Sequence, residues 1–290
     1  MNSLPSTADI AALLRWYADA GVDEAIEETA LDRYALTAAL MARPAAAPVA
    51  KPAPGMPAPA PSAPRTAPPA SAPPATAPPR VPLESPQLVE DARAAAASAS
   101  SLAELEATIR AFEGCSLKRL AKNTVFADGA VDAPVMVVGE APGEDEDRQG
   151  KPFVGVSGRL MDRMFAAIEL TRERDVYITN ILNWRPPGNR TPNLSDVAIC
   201  VAFARRHIEL KRPRLLVLAG GVPAKSLLET ETGITRLRGR WFEYTLPDGT
   251  RIPTMPMFHP AYLLRSPGGK RQSWIDLLNI RDRLDQILAT

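Results

Sequence analysis

The sequence predicts an α/β fold in which helices cover both faces of a parallel sheet. Two observations indicate this architecture. Segments of mostly apolar residues, at 135–138, 176–182 and 215–219, have the length and composition of buried strands. Segments with apolar residues at helical spacing separate these strands along the chain. Because strands that alternate with helices usually pair in parallel, we expect a sheet with helices on both faces.

The other elements follow from the same patterns in chain order. Helices are predicted at 88–100, 102–112, 159–170, 195–210, 224–228 and 272–288. The turn Pro-Asp-Gly at 247–249 separates segments 241–245 and 251–257, which predicts a hairpin that supplies the last strand. We expect these elements to form one domain at residues 87–290, since about 200 residues suffice for a sizeable core.

The preceding residues differ in composition. Residues 1–43 carry apolar residues at helical spacing on both sides of Gly21, which predicts a helical hairpin. The hairpin is acidic, because residues 1–34 contain seven acids and two bases, a net charge of −5. Between residues 44 and 86 lie 16 of the 30 prolines, mostly among alanines. This composition predicts a disordered linker of polyproline II character.

The composition also excludes several classes of protein. No apolar run approaches the ~20 residues of a membrane span, and the N-terminus lacks the pattern of a secretory signal. Two cysteines in 290 residues cannot build a disulfide framework and suit a reducing cytosol. We therefore expect a monomeric, cytoplasmic protein with no membrane partner.

Residues that could bind a ligand or take part in catalysis follow the predicted strands, where α/β sheets bind their ligands. The segments are 139–147 (Gly-Glu-Ala-Pro-Gly-Glu-Asp-Glu-Asp), 150–155 (Gly-Lys-Pro-Phe-Val-Gly), 179–180 (Thr-Asn), 185–190 (Arg-Pro-Pro-Gly-Asn-Arg) and 259–265 (His-Pro-Ala-Tyr-Leu-Leu-Arg). The first is either a solvated acidic loop or a source of carboxylate ligands for a metal, although its aspartates lack the alternate spacing of a calcium loop. Phe153 either stacks on a flat ligand or packs into the core. The amide of Asn180 suits the edge of a base, since it offers a donor beside an acceptor.

The two histidines differ in position. His259 follows the last strand and is a candidate for the ligand site, whereas His207 lies beside two arginines on a predicted helix and is expected at the surface. The sequence contains no phosphate-binding glycine loop, no Gly-x-Ser-x-Gly elbow and no zinc-deaminase signature.

The five segments, in this order, resemble the uracil-DNA glycosylase superfamily, and most of all its family 4, over roughly residues 112–280. The resemblance implies a three-layer α/β/α fold with a four-stranded parallel sheet. It also implies an enzyme that flips uracil out of DNA and hydrolyses its N-glycosidic bond to start base excision repair. Such an enzyme acts at the bacterial nucleoid.

The residue matches imply roles at the site. Phe153 would stack on uracil, Asn180 would bind the edge of the base, and the backbone at Ala141 would close the pocket. His259 would stabilise negative charge on uracil O2. The catalytic carboxylate is either Glu140 or Glu146. The residues expected to contact DNA are Asn189, Arg190, Leu263, Leu264 and Arg265, the last three on a loop that presses into the duplex.

One feature departs from the family pattern. Family 4 proteins carry four cysteines that hold a [4Fe–4S] cluster, and only Cys115 and Cys200 match them here. Phe112 and Trp184 stand at the other two positions. Two thiolates cannot complete a four-cysteine site, so we predict no cluster and no other cofactor. We expect the two aromatic side chains to fill the space and bring the two thiols close together.

Two alternative functions remain open. The chain could be a non-catalytic uracil-DNA binding module, or a related protein that traps uracil-DNA covalently. Relatives of the second kind carry a loop of the Lys-Arg-Arg-Ile-His type near residues 186–192, where this chain has Pro-Pro-Gly-Asn-Arg-Thr-Pro. Residues 1–43 are predicted either to recruit a repair or replication protein or to be a solubilising extension.

Overall fold

The computed structural model describes residues 86–289. The predicted hairpin at 1–43 and residues 44–85 of the predicted linker lie outside the described residues. No helix within 86–289 combines the length and the hydropathy that crossing a lipid bilayer requires.

The described residues contain α-helices on both faces of one sheet. The helices are α1 (Pro86–Ser98), α2 (Leu102–Ala111), α3 (Glu144–Gln149), α4 (Val156–Ala166), α5 (Leu194–Lys211), α6 (Gly221–Leu228), α7 (Ile234–Leu237), α8 (Pro260–Arg265) and α9 (Lys270–Leu288). Short 3₁₀ turns occur at Ser116–Arg119, Pro187–Asn189 and Pro267–Gly269.

The sheet has six strands. They are β1 (Asp128–Gly129), β2 (Val135–Gly139), β3 (Val176–Asn180), β4 (Leu215–Ala219), β5 (Phe242–Thr245) and β6 (Arg251–Met257), in the order β1-β3-β2-β4-β6-β5. The four central strands are parallel, and β1 and β5 pair antiparallel at the two edges. The α/β fold is therefore confirmed. The strand count of four was wrong, because a short antiparallel strand closes each edge.

The apolar strands are explained by packing on both faces. Met136 and Val138 of β2 belong to one core cluster, which α1, α2 and α5 cover. Val135 and Val137 belong to a second cluster on the opposite face, which α4 and α9 cover. Because successive side chains point to opposite faces, a strand between two helical layers has to be apolar at every position.

The acidic segment is helical in the structure, and the expectation that His207 lies at the surface was wrong. The acidic segment forms α3, because Glu146 reaches back to the amide of Gly143 and caps the helix. His207 is only 1% exposed. Its ring bonds to the Tyr177 hydroxyl at 2.9 Å and stacks on Phe126 with ring centroids 4.3 Å apart. Burial lowers the pKa of His207 to about 3, with a further contribution from the charge of Lys211.

The register of the sheet brings the ends of its strands together. Gly139, the last residue of β2, pairs with Asn180, the last residue of β3. On the other side, Ala219 of β4 pairs with Met257 of β6, two residues before His259. The carboxyl edge of the parallel strands therefore collects the segments that the sequence analysis singled out.

Candidate active site

A cavity of about 500 Å³ opens at the carboxyl edge of the central strands. Its lining residues are Glu140, Ala141, Pro142, Gly143, Glu146, Phe153, Ser157, Pro186, Asn189, Arg190, Thr191, His259, Ala261, Tyr262 and Arg265. The structure thus brings together most of the residues that the sequence analysis assigned to the site. A larger groove of about 770 Å³ runs between α1 and α5, but it lies away from the strand ends and is mainly apolar.

Gly139 allows Asn180 and Phe153 to meet beside the cavity. A Cβ atom at residue 139 would lie 2.4 Å from Asn180 Oδ1 and 2.5 Å from the Phe153 ring. Asn180 is buried, and its Oδ1 has no hydrogen-bond partner among the described residues. A buried acceptor without a partner is costly, which indicates that a ligand supplies the donor.

Phe153 has an unfavourable backbone conformation. Its φ is +54°, a left-handed value that costs a residue other than glycine about 1–3 kcal/mol. Gly158 makes this turn possible, because a Cβ there would lie 1.9 Å from the Phe153 carbonyl oxygen. The ring is buried against the cavity, where one face can receive a flat ligand.

The side chain of Glu146 holds the loop around Phe153 by accepting hydrogen bonds from backbone amides of that loop. Its Oε1 accepts from the amides of Val154 at 3.0 Å and Gly155 at 2.8 Å. Its Oε2 accepts from the amide of Gly143 at 3.1 Å. Both carboxylate oxygens are therefore engaged in fixing two loops.

Glu140 differs from Glu146 in its hydrogen-bond partners. Its carboxylate lines the same cavity and accepts no hydrogen bond from any described residue. Burial raises the pKa of Glu140. A partly desolvated carboxylate without partners is available to act on a ligand, so the geometry separates the two acids that the sequence left equivalent.

His259 faces the cavity as a neutral imidazole. Burial lowers its pKa to about 4, and the charge of Arg265 adds to this effect while Glu146 opposes it. The Ala261 amide donates to Nδ1 at 3.1 Å, so the neutral ring carries its proton on Nε2. Gly220, at φ +109°, leaves room for this side chain at the end of β4, since a Cβ there would lie 3.3 Å from the Cβ of His259.

With one exception, the residues expected to contact DNA either line the cavity, as Asn189, Arg190 and Arg265 do, or are exposed, as Leu264 is. Arg190 is held by Asp196 at 3.2 Å, and Asn189 accepts from Arg185 at 2.7 Å. In the segment that follows His259, Leu264 is 41% exposed and Arg265 is also exposed.

Leu263 is the exception. It is only 1% exposed, because the first turn of α8 directs its side chain into the protein. The structure therefore contradicts the expectation that Leu263 reaches the surface. Tyr262, which the sequence analysis did not select, is 38% exposed and lines the cavity. Its place in the same segment was the available signal.

The residues present do not fit a four-cysteine cluster. Cys115 and Cys200 are the two cysteines of the sequence, and both are fully buried. The neighbouring Cys115 thiol and burial together raise the pKa of Cys200 well above its usual range. Within residues 86–289, no group of three or more His, Cys, Asp or Glu side chains could hold a metal ion.

The two thiols share one core cluster with the aromatic residues at the other two positions. Trp184 is buried in the same core cluster and donates from Nε1 to the Thr124 hydroxyl at 3.1 Å. Phe112 packs against this cluster and meets Phe203 edge to face, with ring centroids 5.1 Å apart.

Comparison with known proteins agrees with the fold and the cavity. Residues 126–280 match the sequence profile of the Uracil DNA glycosylase superfamily. The chain is 39% identical over 171 residues to the type-4 uracil-DNA glycosylase of Archaeoglobus fulgidus, covering 58% of this chain and 85% of that protein. It is 33% identical over 180 residues to the type-4 enzyme of Saccharolobus solfataricus, covering 61% and 83%. The type-4 enzyme of Thermotoga maritima is 37% identical over 153 residues, covering 52% and 77%.

The fold, the cavity and these matches define a DNA glycosylase. The chain belongs to the uracil-DNA glycosylase superfamily and, within it, is most like the type-4 enzymes.

Proposed function

We propose that the protein flips uracil out of DNA into the cavity and hydrolyses the bond between uracil N1 and deoxyribose C1′, which starts base excision repair. The observation that carries the proposal is that Phe153 and His259 line one cavity while the buried, unpartnered Oδ1 of Asn180 lies beside the Phe153 ring at Gly139. The set offers an aromatic face, an amide edge and a neutral imidazole donor, which together match a pyrimidine ring.

Asn180 is proposed to select uracil over cytosine. Its unpartnered Oδ1 accepts the N3–H of uracil, and its Nδ2 donates to O4. Cytosine has no proton at N3 and carries an amino group in place of O4. It would leave the buried acceptor unpaired and oppose a donor to a donor, which a site of this kind rejects strongly.

His259 and Glu140 are proposed to act on the two charges that develop as the bond breaks. The electron pair of the C1′–N1 bond leaves with uracil, and the negative charge on O2 accepts a hydrogen bond from Nε2–H of His259. The positive charge on the sugar is stabilised by the Glu140 carboxylate. Water then adds to C1′, and Glu140 accepts its proton.

The remaining site residues are proposed to hold the substrate and the loops. Glu146 positions the Phe153 turn, and the backbone at Ala141 closes the pocket. Arg190 and Arg265 supply positive charge for phosphates, whereas Asn189 supplies a polar contact. Leu264 is exposed and precedes Arg265, which lines the cavity, and it is proposed to enter the space that the flipped base leaves.

We propose that packing replaces an iron–sulfur cluster in this chain. The proposal is supported by the burial of both thiols in the core cluster that also contains Trp184 and contacts Phe112. The proposal assigns no catalytic role to Cys115 or Cys200.

We also propose that residues 1–43 recruit a repair or replication protein through the linker at 44–86, while residues 87–290 form the catalytic domain. Deletion of residues 1–86 should leave excision on purified DNA unchanged and impair uracil repair in cells. A deletion without any effect in cells would favour a solubilising extension instead.

The test of the proposed function is an excision assay on a uracil-containing duplex. After incubation and alkali treatment, we expect a cut strand with the wild-type chain. His259→Ala and Asn180→Ala should each reduce the rate by about 10²-fold or more. A strand that is bound but not cut would indicate a non-catalytic binding protein, and a strand linked to the protein would indicate a covalent trap.

A further inference from the structure

Charged groups of opposite sign hold the turn that carries Phe153. Nη2 of Arg172 donates to the Phe153 carbonyl at 2.7 Å, and Nη1 donates to the Pro152 carbonyl at 3.0 Å. The two amides that follow Phe153 donate to Glu146. The left-handed residue is thus fixed through the carbonyls on one side and the amides on the other.

Arg172 is itself fixed by two carboxylates. Nη1 donates to Asp128 at 2.9 Å, while Nη2 and Nε donate to Asp162 at 2.8 and 3.2 Å. Burial alone would raise the pKa of Asp128, but hydrogen bonds and charge from Arg172 and Lys151 lower it, so this carboxylate is ionised. The side chain of Arg172 is 12% exposed.

The planar guanidinium therefore joins three separate pieces of the structure through four oxygens. Asp128 lies in β1, Asp162 lies in α4, and the two carbonyls lie in the loop before α4. A lysine at residue 172 would present one compact charge and could not reach all four oxygens in this fork geometry. Arg172 does not line the cavity, so any effect on the ligand passes through the loop.

We propose that Arg172 is a positioning residue for uracil, because it holds the Phe153 ring in the orientation on which the base stacks. This inference rests on the proposed function, in which Phe153 is the stacking surface. A left-handed conformation is unfavourable for phenylalanine, so the turn relaxes and the ring moves when its carbonyls lose the guanidinium.

The test is a double-mutant cycle on the full chain. Arg172→Met keeps the aliphatic stem and removes the guanidinium, and we expect a loss of about 10²-fold in the single-turnover rate, as for other small displacements at active sites. Inhibition by free uracil should weaken in parallel, whereas affinity for an abasic-site duplex should not change. Arg172→Lys should restore part of the rate.

Phe153→Ala supplies the second side of the cycle. If Arg172 acts through the Phe153 ring, adding Arg172→Met to Phe153→Ala causes no further loss of rate. Additive losses would overturn the positioning role and leave the proposed function intact. Full activity of Phe153→Ala, or a wild-type chain that excises no uracil, would instead overturn the proposed function.

Arg174→Met is the matched control for stability and charge. Arg174 lies in the same loop, is exposed, and bonds to Asp175 and the Glu169 carbonyl, away from the Phe153 turn. We expect the wild-type rate from this variant. Thermal unfolding is measured for every variant alongside the excision rate. If Arg172→Met does not fold, Asp162→Asn replaces it in the cycle.

Discussion

The rings of Phe153 and His259 face each other with centroids 5.4 Å apart and planes inclined by 29°. A third ring between them would need a separation of about 7 Å, twice the contact distance of carbon atoms. A base that stacks on Phe153 therefore lies beside His259 and presents an edge to it. That arrangement suits a hydrogen bond from Nε2–H of the imidazole.

Gly139→Ala should block the cavity. The added Cβ would overlap both the Asn180 amide and the Phe153 ring, and relieving such overpacking typically costs about 1–3 kcal/mol. We expect a folded protein whose excision rate falls about 10²-fold or more, because both uracil-binding groups move. Gly221→Ala is the control, since a Cβ there meets no atom within 4 Å. Equal rates for the two variants would contradict the assigned geometry.

Glu140→Gln and Glu146→Gln should affect different properties. Glu140→Gln removes a charge that acts on the substrate, so we expect a loss of about 10²-fold or more in rate at unchanged stability. Glu146→Gln replaces one accepting oxygen by an amino group and leaves a backbone amide unpaired. The free energy of unfolding should fall by about 1.5–3 kcal/mol.

Excision rates and thermal unfolding measure these two effects. Glu144→Gln, at an exposed acid of α3, should change neither. If Glu140→Gln unfolds at a lower temperature than the wild type but excises uracil at the wild-type rate per folded molecule, Glu140 is not the catalytic carboxylate.

The pH dependence of excision should report Glu140 and not His259. Burial raises the pKa of Glu140 above 4.5 and lowers that of His259 to about 4. As the pH falls, Glu140 is therefore protonated first, and the rate should decline at a higher pH than an ordinary glutamate would give. Single-turnover rates between pH 4 and 8 measure this decline. The Glu140→Gln variant should excise uracil slowly, and its rate should not decline as the pH falls. An identical decline in that variant would refute the assignment.

His207 should make the fold sensitive to acid. Because its pKa is lowered from 6.5 to about 3 on folding, the unfolded chain binds this proton at a higher pH than the folded chain. The contribution of neutral His207 to the free energy of unfolding is fully present above about pH 6.5. It declines by up to about 1.4 kcal/mol per pH unit as the pH falls towards 3. His207→Gln should show a shallower decline in denaturant unfolding. Parallel curves for the two proteins would contradict this prediction.

The purified protein should be colourless and free of iron. With Phe112 and Trp184 in the same part of the core as the two buried thiols, we expect no visible absorption from an iron–sulfur cluster and no iron by elemental analysis. The double variant Cys115→Ala, Cys200→Ala should retain excision activity, because neither thiol reaches the cavity. A brown preparation that loses activity with its iron would overturn the prediction.

Local patterns were sufficient for the centre of the fold. The strands at 215–219 and 251–257 were predicted with their observed ends, because a buried strand is apolar whatever packs against it. The helix α3 was not predictable in this way. It has no apolar face, and Glu146 caps it through contacts with loops on both sides.

Distances in space decided the features that the sequence left open or misplaced. Glu140 and Glu146 are the same residue type in one segment, and only the backbone amides around Glu146 distinguish them. His207 is buried because Tyr177, thirty residues earlier, supplies its hydrogen-bond partner. Leu263 and Leu264 are neighbours, and the helical rotation between them decides which one is exposed.

The helices α1 and α2 precede the region that matches the superfamily, yet their buried residues are part of the hydrophobic core of that region. Ala92, Leu105 and Ile109 are buried in the cluster on one face of the sheet, and Arg206 of α5 bonds to the Ala99 carbonyl. A truncated chain that began at residue 126 would expose the apolar face of α5 to water. Anyone shortening this protein for crystallisation should cut before residue 86, or expect aggregates.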